Sequence, residues 1–369
     1  MTSIAGARLR AQRLTGKPFG DAMEAVGRMG AVQSQDFPAA KWALAQRLEG
    51  VTDAALDRLY DDGAVLRTHV LRPTWHFVLP EDIRWLLSLT GPRVMARAAG
   101  RLRQLEIDRE VIARARAAWH AALAGGGSMT RTELGGVLAA AGVSAEGQRL
   151  LYFVMALELE GLLASGPRRG KQLTWALLEE RAPASVPLEP QDALRELARR
   201  YFSSHGPAQL QDFAWWSEMT LADARRAIGL AGAELAIRSI EGRDYWCDHE
   251  LDWRPAGRGA VHLLPNFDEY TVGYRDRSAM LHAHYPFRPE LFALSSILSN
   301  VITAGGELRG AWRKVATSKG VRVEVRPVAR LSPAVRAGIE EAALRFGRFL
   351  GRQVEVAWIE PDRPMSGGF

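Results

Sequence analysis

Cysteine is almost absent from this sequence. Cys247 stands alone, which excludes an intrachain disulfide and fits a reducing compartment. No stretch approaches eighteen consecutive apolar residues, and the first fourteen carry Arg8, Arg10 and Arg13 without an apolar run. Neither a membrane span nor a secretion signal is therefore expected, and the expected location is cytoplasmic. Lysine is scarce as well: there are five, and arginine supplies the rest of the 48 basic residues. Against 42 acidic residues this leaves a net charge of +6, mild for 369 residues. Arginine's planar fork suits phosphates and base edges, but an arginine- and alanine-rich composition also follows from a GC-rich genome. Signatures of common hydrolase chemistry are missing too: there is no HExxH, no GxSxG and no paired CxxC. His282-x-His284 has the spacing of two metal ligands on one strand face, with no third ligand nearby, so neither a metal nor a cofactor is expected.

What is present is the composition of a globular protein, 47% hydrophobic and 24% charged, too long for one ordinary core. β-Prone runs at 65–71 and 74–78, broken at Arg72-Pro73, follow several short helical patterns, and helices followed by a β-hairpin make a winged helix. Gly125-Gly126-Gly127 reads as a linker, after which Thr130 and Glu133 fit a capping box. Residues 148–163 put Leu151, Met155, Leu159 and Leu162 on one helical stripe. A strand, a basic turn and a second strand then run from 162 to 175. The loop from Gly166 to Lys171 lacks the length and the following helix of a phosphate-binding loop. After a proline-bearing linker at 183–190, helices are expected at 192–205, 208–219 and 220–232, and a β-prone run at 244–247. From 254 onward short strands dominate (261–264, 300–303, 307–315, 321–328), with Gly305-Gly306 as a hairpin signal, a helix at 333–350 and a strand at 353–359. The tail 365–369 is expected to be disordered. The expected fold is α+β and mainly helical: three tandem winged-helix motifs at 1–124, 125–185 and 186–253, and a β-rich domain at 254–369.

One polar stretch stands out, Gln33-Ser34-Gln35-Asp36-Phe37-Pro38. Val26 and Met29 share a helical stripe with Gln33, which points that amide inward and predicts a helix ending near 35–36. Pro38 then opens a second helix over 38–48, with Asp36 placed to cap it. Two glutamines at such a corner either satisfy backbone groups there or form a polar pocket for a water or an anion.

Gln-x-Gln followed by Asp36-Phe37-Pro38-Ala39-Ala40-Lys41-Trp42-Ala43-Leu44 resembles the signature of the AlkZ-like DNA glycosylases, a winged-helix family. The likeness continues at Leu71-Arg72-Pro73-Thr74-Trp75-His76-Phe77 and Leu86-Leu87-Ser88-Leu89-Thr90-Gly91-Pro92-Arg93. It returns at Arg200-Tyr201-Phe202 with Gly206-Pro207-Ala208, and at Leu264-Pro265-Asn266-Phe267-Asp268-Glu269-Tyr270 with Gly273-Tyr274-Arg275-Asp276-Arg277. The blocks span most of the chain, and their order and spacing carry more weight than any one of them. The family usually has an apolar residue between the glutamines, where this chain has Ser34.

The resemblance implies that Gln33 and Gln35 orient a hydrolytic water and that winged helices and β-domain form a cleft around duplex DNA carrying alkylated guanine. It also implies excision of N7-alkylguanines, with unhooking of interstrand crosslinks in some members. Gln35, where a related branch carries an acid, places the chain in the branch linked to self-resistance against genotoxic natural products. A β-hairpin of the family enters the minor groove, and Gly305-Gly306 is the candidate tip here. Residue chemistry points the same way. A glutamine cannot remove a proton but can aim a water, which is enough when the base is cationic and leaves readily. Asp36 is the nearest carboxylate to support a developing sugar cation. Arg72, Arg168, Arg169, Lys171, Arg313 and Lys314, each at a wing or hairpin, are candidate phosphate contacts, although each also suits a solvated surface. A monomeric glycosylase is the expectation; a non-catalytic winged-helix DNA-binding regulator or scaffold is the rival reading.

Overall fold

The computed structural model describes residues 3–182, 184, 188–257, 259–281 and 300–359. His282, His284, part of the 183–190 linker and the 365–369 tail lie outside the described residues. The chain divides into two compact units, one of residues 57–196 with 30–32, the other of the residues up to 29, those at 33–56 and those from 197 on. Both mix helices with antiparallel strand pairs, an α+β arrangement.

In the 57–196 unit, Leu66–Val70 and Arg72–Val78 form an antiparallel hairpin. Helices Ile83–Gln104, Arg109–Leu123, Arg131–Ala140 and Arg149–Leu159 follow, then a second hairpin, Leu163–Arg169 with Gln172–Leu177. The capping box expected at Thr130 is present: the Thr130 amide donates to Glu133 Oε2 at 2.7 Å, and Thr130 Oγ1 accepts from the Glu133 amide. Amphipathic helices close over Trp119, Leu134, Leu138, Phe153, Leu157 and Leu163, all wholly buried. Each such side chain contributes on the order of 1.5–3 kcal/mol by leaving water.

The other unit is built on a five-stranded sheet in the order Val354–Trp358, Gly320–Pro327, Glu307–Thr317, Val301–Ala304, Val261–Leu264. Neighbours are antiparallel except the first pair, which is parallel and joined through the helix Pro333–Leu350. Phe346 and Phe349 of that helix pack on Trp42, at 4.9 and 5.3 Å between ring centroids. The indole of Trp42 donates to the Leu263 carbonyl at 2.7 Å, so the helix Phe37–Ala45 is fixed to the sheet by both an apolar and a polar contact. The helices Ile4–Ala11, Leu210–Ser217, Leu221–Ala231 and Glu269–Val272, the end of the helix Pro190–His205, and the hairpin Ala236–Ile240 with Arg243–Cys247 also belong to this unit. Cys247 is buried, and burial pushes its thiol up to about 11, which suits an inert core position.

His262, paired across the sheet with Thr303, donates from Nε2 to the Leu14 carbonyl at 2.8 Å. Burial, reinforced by Arg345 and Arg47 and opposed by Asp268 and that bond, lowers its pKa from 6.5 to about 4. An unfolded chain therefore takes up this proton as pH falls below about 6.5, while the folded chain resists until about 4. Stability from this group is complete above 6.5 and is lost between 6.5 and 4. Urea unfolding at pH 7 and pH 4.5 should show wild type losing about 2–3 kcal/mol more than His262→Gln, which keeps a donor for Leu14.

Candidate active site

The helix Ala22–Met29 stops one residue before Gly30, whose φ of +78° is a left-handed cap that glycine adopts without strain. The stripe of Val26 and Met29 predicts a helix reaching 35–36; the helix ends at Met29 instead, and Gln33 lies in the two-residue strand Val32–Gln33. The inward orientation survives the change of conformation. Gln33 is 5% exposed and Ser34 wholly buried, while Gln35 and Asp36 are at the surface. Asp36 caps the next helix as its spacing requires, with Oδ1 accepting from the Ala39 amide at 3.1 Å.

Beneath the corner lies a buried polar circuit. The Gln33 amide donates to Glu269 Oε1 at 2.7 Å. Glu269 Oε2 accepts from the Trp216 indole at 3.0 Å and faces His205 Nε2 at 3.2 Å. Neighbouring Asp268 takes a two-pronged bond from Arg47 at 2.8 and 2.9 Å, and Arg47 also donates to Gln12 Oε1 at 2.6 Å. Gln12 in turn donates to Tyr274 Oη at 3.0 Å, whose hydroxyl donates to the His205 carbonyl at 2.7 Å. Burial raises the pKa of Tyr274, keeping the phenol protonated for that bond. Arg8, 2% exposed, stacks 3.7 Å over the Tyr274 ring and reaches Asp212 at 3.3 Å.

Sequence reasoning passed over Glu269, His205 and Arg47 as participants. Asp268-Glu269 is nonetheless a signal: two adjacent acids, both wholly buried, between the apolar strand Val261–Leu264 and Tyr270.

The family model described as DNA glycosylase AlkZ-like matches residues 26–349. The chain belongs to the AlkZ-like DNA glycosylase family. It is accordingly a DNA glycosylase. An interstrand DNA cross-link repair glycosylase of Streptomyces sahachiroi is 27% identical over 333 residues, covering 84% of this chain and 86% of that protein. The solved structure of the Streptomyces sahachiroi DNA glycosylase AlkZ superposes with a TM-score of 0.76 over 96% of this chain and 98% of that one, at 22% identity, and shows the same fold.

The basic residues of this AlkZ-like glycosylase differ in how they are held. Arg168 is engaged by Asp61 at 2.8 Å and Asp57 at 2.7 Å, and its pKa is raised chiefly by its hydrogen bond to Asp61. Arg169 is exposed but pairs with Glu133 at 2.6 Å, and Arg313 is bound to Glu324 at 2.7 Å. Arg72 is half-buried. Lys171 and Lys314 are exposed and, among the described residues, not ion-paired. The Gly305-Gly306 turn has the positive φ values expected, +62° and +87°, yet it is not a projecting tip. Gly306 is buried, its carbonyl accepts from Tyr270 Oη at 2.9 Å, and a Cβ there would sit 2.6 Å from that hydroxyl. Ser318-Lys319, between the strands Glu307–Thr317 and Gly320–Pro327, is an exposed turn of this sheet.

Proposed function

We propose that this glycosylase hydrolyses the N-glycosidic bond of N7-alkylated deoxyguanosine in duplex DNA, with Gln33 and Gln35 aiming the water. The observation that carries the reading is the fixed, partly exposed glutamine corner, with Gln33 anchored by its own amide to a buried carboxylate. An amide side chain can accept one hydrogen bond from a water and donate another, which directs a lone pair without removing a proton. Water attacks C1′ as the C1′–N9 bond breaks. The electron pair returns to the cationic purine, which departs neutral, and the water's proton passes to solvent. No group must protonate the leaving base. Asp36, at the surface beside Gln35, supports the positive charge that develops on the sugar.

The cross-link repair activity in the name of the Streptomyces sahachiroi relative supports extending the substrate to bulky and crosslinked N7 adducts. Helix-then-hairpin order supports the division into tandem winged helices at 1–124, 125–185 and 186–253 with a β-rich domain at 254–369; action as a monomer on duplex DNA in the cytoplasm is part of the same proposal. No helix among the described residues is long and apolar enough to cross a membrane. The deciding experiment is release of base from a duplex carrying one N7-methylguanine, beside an unmodified duplex. Free 7-methylguanine and an abasic site from the first alone are expected; release from neither, by protein that binds both, would overturn the reading.

Phosphate contact is assigned to Lys171 and Lys314, with Arg72, Arg169 and Arg313 as arginines already held by the protein, and to Lys319 at the exposed turn. Each lysine that touches a phosphate releases about one counterion, so its alanine variant should lower the slope of log K against log salt by about 0.9. Arg168→Ala should leave the slope unchanged and destabilise the 57–196 unit, because its charge is spent on Asp57 and Asp61. Fluorescence anisotropy across a salt series measures both.

A further inference from the structure

We infer that Glu269 is the positioning residue of the glutamine corner, fixing through the Gln33 amide the direction in which both glutamines meet the water. The inference rests on the role proposed for Gln33 and Gln35. Glu269 is wholly buried and both its oxygens are engaged, Oε1 by the Gln33 amide and Oε2 by Trp216 and His205. It therefore does not touch the sugar or the base. A buried carboxylate is a costly way to satisfy one backbone N–H, since a carbonyl would do so without desolvating a charge. What a carboxylate adds is a stronger, shorter and more directional bond, and here that bond falls on the peptide of the segment that carries the site.

The geometry is that of a strap tied at both ends. Glu269 holds the main chain at Gln33, and the helix Phe37–Ala45 holds it at Asp36 through the cap to Ala39. Only Ser34 and Gln35 lie between, and Ser34 is buried, so little freedom remains for where Gln35 emerges. The anchor is itself supported. His205 stacks on Tyr201 at 4.8 Å and 12° between ring planes, and its Nδ1 meets Ser204 Oγ at 2.8 Å. Gly273 lets the short helix Glu269–Val272 close on the imidazole, since a Cβ there would lie 2.8 Å from His205 Cδ2. Carboxylate, imidazole and indole thus form a packed, hydrogen-bonded base beneath the Gln33 amide.

The test is Glu269→Gln in the full chain, which keeps volume and removes charge. It is read well below its melting temperature as the single-turnover rate of 7-methylguanine release and as affinity for the same duplex. The single-turnover rate should fall about 10- to 100-fold, as expected when reacting groups are misplaced by a fraction of an ångström to an ångström. Affinity should stay within about twofold, and the Gln33 amide proton should lose its carboxylate-bonded chemical shift. Trp216→Phe, which keeps the aromatic packing and removes one bond to Oε2, should give a smaller fall of the same kind and decides the matter should the first variant not fold. Release at the wild-type rate by these folded variants, in a preparation where Gln33→Ala and Gln35→Ala have lost it, overturns the role of Glu269 alone. Wild-type release by the glutamine variants overturns the glutamine reading and the positioning role with it. A loss that merely follows the unfolded fraction makes Glu269 structural and also overturns the inference.

Discussion

Asp268→Ala is expected to destabilise the unit that holds the glutamine corner by about 3–5 kcal/mol, the cost of leaving a buried cation without its partner. Arg47 is 1% exposed, its two-pronged bond to Asp268 through both terminal nitrogens is its one ion pair among the described residues, and its Nε has no acceptor among them. Without the carboxylate the guanidinium keeps Gln12 and the Ala43 carbonyl, both neutral, against a full desolvation penalty. Asp268 also accepts from the Tyr270 amide at 2.9 Å, so the helix Glu269–Val272 loses its cap in the same step. In a domain of this size the loss corresponds to a melting shift of roughly 10 °C. Asp268→Asn keeps the cap and one acceptor and should lose less. The double variant Arg47→Met with Asp268→Asn should be less destabilised than the sum of its parts, because removing both charges removes the penalty that each single change exposes. Urea unfolding of Asp268→Ala, Asp268→Asn, Arg47→Met and the double variant measures these differences; additivity in the last three would mean that the pair is not coupled.

Much of this architecture could be read directly from local pattern. Thr130 with Glu133, Asp36 ahead of Pro38, and the helix from Pro333 to Leu350 each follow from side chains that cap or extend their own backbone within a few residues. The hairpin at Gly305-Gly306 was equally readable, because positive φ is a local demand. Where a decision depended on partners distant in sequence, the pattern gave no guidance. Gln33 meets Glu269 across 236 residues, and Arg168 meets Asp61 across 107. A basic turn looks the same in sequence whether its charge faces DNA or a neighbouring aspartate. A glycine hairpin likewise does not tell whether its tip stands in solvent or under a tyrosine. The helix ends at Met29 rather than near 35–36 for a different reason: burial of Gln33 satisfies a helical stripe and an extended strand equally, and Gly30 is the residue that separates them.

Gln35→Ala should reduce single-turnover release of 7-methylguanine by about 10²- to 10³-fold, the range seen when one oriented hydrogen-bonding group is taken from a reacting centre. Gln35 is exposed, so truncation should change stability by no more than about 0.5 kcal/mol, and lost activity then reports on the chemistry. Gln33→Ala should be comparably slow but also less stable by roughly 1–3 kcal/mol, since a buried side chain is removed and leaves a cavity in its place. The two losses should not multiply. If both amides hold one water, removing either frees it, and the double variant should be little slower than the worse single one. Gln35→Glu keeps the reach and still accepts from a water, so it should release base faster than Gln35→Ala. Its rate should also rise with pH as the carboxylate ionises, a dependence that a neutral amide lacks. Independent, multiplying losses would mean that the two glutamines act on different atoms. Equal rates for Gln35→Glu and Gln35→Ala would mean that Gln35 holds the DNA rather than the water.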